Sequence, residues 1–115
     1  MIGVKPKKKK EPSNQPDFNL AEGQAAIYGK VTERNVYDNS VRDAIDAQVT
    51  VFKNGVLVGY VIPFLDSSYQ IVSIDAGDDY TMEFVKDSMF TTPIFSLSSK
   101  EIKEVNVELT SYDIS

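Results

Sequence analysis

The chain predicts an all-β fold, a two-sheet antiparallel sandwich of about seven strands behind a disordered N-terminal arm. Three observations carry this. Apolar residues recur at every second position in run after run between Ile27 and Leu109, the period of a strand with one buried face. Turn residues separate the runs at intervals of roughly 8 to 12 residues, the spacing of sandwich strands. The one stretch with helical character, "VRDAIDA" from Val41, is too short to bury a helical face.

Residues 1–22 read as a flexible basic arm and residues 23–115 as the sandwich. Lys5, Lys7, Lys8, Lys9 and Lys10 put five positive charges into the first ten residues, and three of the five prolines (Pro6, Pro12 and Pro16) follow among polar residues. Such a composition buries too little apolar area to offset the entropy of ordering. Phe18 and Leu20 are its apolar hook, placed to pack on the body or on a partner.

The first strand is "AIYGKVTE", with Ile27, Gly29 and Val31 opposite in phase to Tyr28, Lys30 and Thr32. A polar loop, Asn35 to Asp46, leads to "AQVTVFK", where Ala47, Val49 and Val51 alternate with Gln48, Thr50 and Phe52. Asn54-Gly55 then separates two apolar runs. Both residues tolerate positive φ, which the type I′ turn of a tight hairpin requires. The return strand is "GVLVGYVIPF", ended by Pro63, which has no N–H to give a ladder. "SYQIVSI" and "YTMEFVK" follow, joined by the turn "DAGDD". "TPIFSLSS" is a weaker strand, and "KEIKEVNVELT" closes the domain on Val105, Val107 and Leu109.

These residues resemble the carboxypeptidase regulatory-like domains, of transthyretin-like (prealbumin-like) fold. Ile27, Gly29 and Val31 match that family's opening I-x-G-x-V, and Ala47, Val49 and Val51 match its second element. Tyr69 and Ile71, then Ile74, Gly77 and Tyr80, match its aromatic strand and turn; Val105, Val107 and Leu109 match its last strand. The chain departs from the pattern in carrying "DSSY" where the family usually has Asp-Gly before the aromatic, and in one extra residue, Asp78 or Asp79, before Tyr80. The same turn also resembles the tyrosine corner of an immunoglobulin-like Greek key, without the Cys and Trp that accompany it. The resemblance implies a non-catalytic module used for stability, spacing or attachment, and supplies no catalytic residues.

Composition points the same way. The chain has no His and no Cys, which removes the commonest general base, thiolate nucleophiles, thiolate metal sites and disulfides. There is no G-x-S-x-G and no phosphate-cradling Gly-rich loop. No enzyme activity, cofactor or metal site is therefore expected. The carboxylates Asp75, Asp78 and Asp79 are the nearest thing to a calcium loop, but they miss the D-x-[DN]-x-[DN]-G pattern and read equally as a solvated turn. No run of 18 apolar residues is present, so no transmembrane segment is expected. The start has no apolar core behind its lysines and reads as no secretory signal.

Partner binding is assigned to Lys5, Lys7, Lys8, Lys9, Lys10, Phe18, Tyr37 and Arg42. The lysines suit an anionic surface, the plainer alternative being a solubilising tail. With no aromatic among them they offer no base stacking, so sequence-specific nucleic-acid binding is not expected. Beyond them, seven basic residues stand against 17 acidic ones, a balance of −10. Tyr37 and Arg42 lie in the polar loop and are residue types favoured at interfaces. "MFTTPIF" from Met89 reads as core or edge packing, with an interface patch as the alternative. The expected function is a structural or docking module, in its sharpest form an accessory protein of a viral particle, held through its arm. The alternatives are a protein- or carbohydrate-binding module of a larger secreted or cell-surface protein, and a polybasic tether to nucleic acid or anionic membrane. A virion or extracellular setting is favoured over a cytoplasmic one.

Overall fold

The computed structural model describes residues 18–112. Ten strands are present: β1 Gln24–Asn35, β2 Val41–Asp43, β3 Gln48–Lys53, β4 Val56–Val61, β5 Ser68–Asp75, β6 Gly77–Val85, β7 Met89–Thr91, β8 Phe95–Leu97, β9 Ile102–Glu104 and β10 Val107–Ser111. They form two five-stranded sheets with no helix among the described residues. The expected seven become ten for three local reasons. "VRD" of the helical candidate adds a short strand, β2, beside β1. Met89–Thr91, ahead of the sixth expected segment "TPIFSLSS", adds β7, and that segment itself forms β8 after Pro93. The closing strand breaks at Val105-Asn106 into β9 and β10.

In the first sheet the front half of β1 lies between β5 and β9, and the back half between β2 and β10. The β1–β9 and β1–β10 pairings are parallel; every other pairing is antiparallel. The second sheet runs β4-β3-β6-β7, with β8 also on β6. Thus β1 and β3 sit in different sheets, whereas an immunoglobulin sandwich places its first, second, fifth and fourth strands in one.

Period two puts one face of each sheet inward. Ile27 and Val31 of β1, Tyr69 and Ile71 of β5, and Val107 and Leu109 of β10 meet Val49 and Val51 of β3 and Tyr80, Met82 and Phe84 of β6 in one buried cluster. The Tyr69 and Phe84 rings meet edge-on at 5.8 Å across the two sheets. Ile74 is three residues from Ile71 yet also buried. Ser73, with φ of 63°, takes up the extra residue, and the β1–β5 register shifts between Ala25 and Ile27. Likewise the extra aspartate before Tyr80 is absorbed by a register shift, with Asp79 at φ 67° and its carbonyl accepting from Asn54 N at 2.8 Å.

Gly29 explains the break in the closing strand. A Cβ there would lie 1.9 Å from the Val105 carbonyl oxygen, so only glycine lets the chain cross β1 at that point. The crossing is fixed by two bonds. Tyr69 Oη donates to the Val105 carbonyl at 2.6 Å, and Lys30 N donates to Asn106 Oδ1 at 2.8 Å.

Candidate functional site

The hairpin at Asn54-Gly55 is a type I′ turn, with φ of 51° and 80°. It sends β4 back along β3, pairing Lys53 with Val56 and Tyr60 with Thr50. β4 was expected to bury one face. Instead it is the edge of the second sheet, and most of it faces solvent. Gly59 stands opposite the buried Val51, and a Cβ there would come within 3.0 Å of Ile71 Cγ2. The sheet corner closes tightly over a bare backbone at this point, so the strand contributes little to the core beyond Val61, which packs against it.

What remains is a strip of apolar side chains in water. Leu57 is 58% exposed, Tyr60 53%, Phe64 62% and Leu65 84%, with Val56, Val58 and Ile62 also exposed. No charged residue occurs from Asn54 to Leu65. Single exposed apolar residues are ordinary, but a contiguous strip on a strand edge marks an interaction surface. A second, smaller apolar rim lies at the other edge of the same sheet, where Met89, Phe90 and Ile94 are exposed. Of "MFTTPIF", read as core or edge packing, Phe95 stacks on Tyr80 at 5.9 Å and Phe90 lies on the edge strand with its ring 6.4 Å from that of Phe84, while Met89 and Ile94 face solvent.

Of the residues assigned to partner binding, the five lysines lie outside the described residues. Phe18 meets the Tyr28 ring edge-on at 6.4 Å, against the front of β1. Tyr37 is exposed in the β1–β2 turn, whose geometry is held by Asn35 Oδ1 accepting from Tyr37 N at 2.8 Å. Arg42, on β2, turns to Glu33: its Nε lies 2.8 Å from Glu33 Oε2, and its Nη2 is 3.4 Å from Ser111 Oγ. Lys86 Nζ approaches the same Glu33 oxygen at 3.1 Å. Glu33 is 2% exposed, so this carboxylate plugs that end of the sandwich and is held by two cations. The sequence reading missed this cluster: Glu33 meets Arg42 only through the β1–β2 pairing, and Lys86 comes from much farther along the chain.

The turn Asp75 to Tyr80 is a tyrosine corner, with Tyr80 Oη donating to the Asp75 carbonyl. Burial, then the nearby Asp75 carboxylate, pushes the Tyr80 hydroxyl above its ordinary pKa. Asp78 and Asp79 are exposed, and among the described residues no three acidic side chains gather as a metal site would need. On the outer face of the first sheet an open cleft of about 640 Å3 is lined by Tyr28, Lys30, Thr32, Glu104, Asn106 and Glu108. Its Glu108 is engaged by Arg34 through two bonds, at 2.9 and 3.2 Å, and Asn106 Nδ2 donates to Glu104 at 3.2 Å. No protein-family model matches the chain, and no curated protein matches it significantly.

Proposed function

We propose that the chain is a non-catalytic docking module whose sandwich offers the β4 edge, with the apolar loop that follows it, to another polypeptide. The observation that carries this is the charge-free exposed strip Val56–Leu65 on an unpaired strand edge. Edge strands are commonly blunted by charge or proline; this one carries neither between Val56 and Ile62. The absence of His and Cys from the sequence supports a role without turnover. The carboxypeptidase regulatory-like resemblance supports it too. Of the two sandwich types the sequence suggests, the placement of the first and second principal strands in different sheets favours the transthyretin-like reading. Attachment within a particle or a larger protein suits such a module, with the lysine arm as a separate electrostatic contact.

The test is site-specific photo-crosslinking in cells that make the protein. A benzophenone amino acid replaces Tyr60 in one variant and Gln48, on β3, in a control. Cross-links to protein from position 60 and few from position 48 support docking at the β4 edge. Equal yields from both, or none from position 60, overturn it.

A further inference from the structure

We infer that the occupant of this edge is a second copy of the chain, its β4 lying antiparallel to β4 across a two-fold axis. The inference rests on the docking reading above and names the partner.

The edge itself comes first. β3 holds one side of β4, and among the described strands none pairs with the other side. The register shift that leaves Val58 without a partner on β3 is the one edge-blunting feature present. A row of backbone donors and acceptors open in this way is completed by another extended strand.

Charge selects which strand. The chain carries −5 overall, so contact between two copies through most faces sets carboxylate against carboxylate. The twelve positions from Asn54 to Leu65 hold no charge and are bracketed by Lys53 and Asp66, of opposite sign. Lys53 Nζ is itself held over the Tyr80 ring at 5.4 Å, so the strip meets its own copy with no charge opposed. Such a surface tolerates the self-contact that a two-fold axis requires. A strongly charged partner would find nothing on it to pair with.

Area sets the strength. The seven exposed side chains from Val56 to Leu65 leave on the order of 700 Å2 uncovered, of which edge pairing buries only part because alternate side chains point to opposite faces, so the contact is of the weak class below ~800 Å2 per partner. Pairing two such edges joins the second sheets of both copies into one continuous sheet. Each copy has a single β4, so assembly stops at two.

Sedimentation equilibrium of the full chain, from low micromolar to about 1 mM, tests this. The expected result is a monomer–dimer equilibrium. Leu57→Lys and Tyr60→Lys each set like charges close to the axis and are expected to weaken the dimer at least about tenfold. Thermal melting of the monomer stays unchanged, since both side chains already face solvent. Tyr37→Lys, at the β1–β2 turn, leaves the dimer intact. A chain that stays monomeric throughout overturns the inference, whatever the variants do. So does a dimer indifferent to both lysines. Oligomers that grow past two and dissolve with Ile94→Lys would mean head-to-tail contact between the two apolar rims, and also overturn it. Cross-links from position 60 to a different protein alone keep the docking reading and overturn self-pairing; no cross-links at all overturn both.

Discussion

Replacing Gly29 with alanine should be among the most damaging single-methyl changes the sandwich can suffer. The new Cβ would stand 1.9 Å from the Val105 carbonyl oxygen, 2.7 Å from its carbon and 3.0 Å from Asn106 Oδ1. Two of these three atoms are backbone and cannot rotate away. The segment between β9 and β10 must lift, and two bonds stretch with it: Tyr69 Oη to the Val105 carbonyl and Lys30 N to Asn106 Oδ1. Each is worth about 1 kcal/mol net, and more where a buried group is left unpaired. With the loosened β1–β9 and β1–β10 ladders added, the expected loss is about 3–5 kcal/mol, against a total of roughly 5–15 kcal/mol for a domain of ordinary stability. Gly55→Ala is the matched control. No atom lies within 4 Å of its Cβ, but its φ is 80°, so only the left-handed penalty of about 1–2 kcal/mol applies. Urea unfolding followed by far-ultraviolet circular dichroism reads both. If Gly29→Ala costs no more than Gly55→Ala, the crossing at Val105 is not as described and the steric reasoning fails.

Further outcomes follow from the same contacts. Arg42→Ala with Lys86→Ala leaves the buried Glu33 carboxylate without its two cations and should cost about 3–5 kcal/mol in urea unfolding, the range for leaving a buried charge unpaired; a loss under about 1 kcal/mol would show that the carboxylate is effectively solvated. Ser67 is fully buried, sits at φ 68° and its hydroxyl finds no hydrogen-bond partner, so Ser67→Gly should raise stability by about 1 kcal/mol; a lower melting temperature would contradict this. Burial raises the Tyr69 hydroxyl well above its ordinary pKa, with Glu104 adding to the shift. The folded chain then holds that proton more tightly than the unfolded one. Stability is full below the ordinary tyrosine pKa of about 10 and falls as pH climbs past it. In Tyr69→Phe this alkaline slope should be shallower, and an unchanged melting-temperature profile between pH 9 and 12 would count against it. Deleting residues 1–12 should abolish salt-sensitive binding to vesicles rich in anionic lipid; binding that survives deletion would move the contact to the sandwich.

Sequence periodicity made β1, β3 and β6 legible, because central strands bury one face whatever else the chain does. Ile27, Val31, Val49, Val51, Tyr80, Met82 and Phe84 were all readable as core and are all buried. The Asn54-Gly55 turn was readable for a local reason, since both residues accept positive φ. What failed was lateral position. "VLVGYV" looks like a half-buried strand, yet β4 is an edge, and whether a strand is central or marginal depends on pairings with distant segments. The break at Val105-Asn106 was hidden similarly: alternation runs through it, and its cause is Gly29, beside Lys30, whose N–H bonds Asn106 from 76 positions away. Arg42 read as an exposed anchor because nothing near it announces Glu33 as its ion partner, although the β1–β2 register brings the two opposite each other.

Amide hydrogen exchange of Val56–Val61 at low and high protein concentration tests the role of the β4 edge most directly. Those of these amides that point away from β3 should gain protection with concentration in the native chain and stay exposed in Tyr60→Lys, while those bonded to β3 are protected in both. Outward amides whose protection is already high and identical in both would mean the edge is covered from within, and that no partner is needed there.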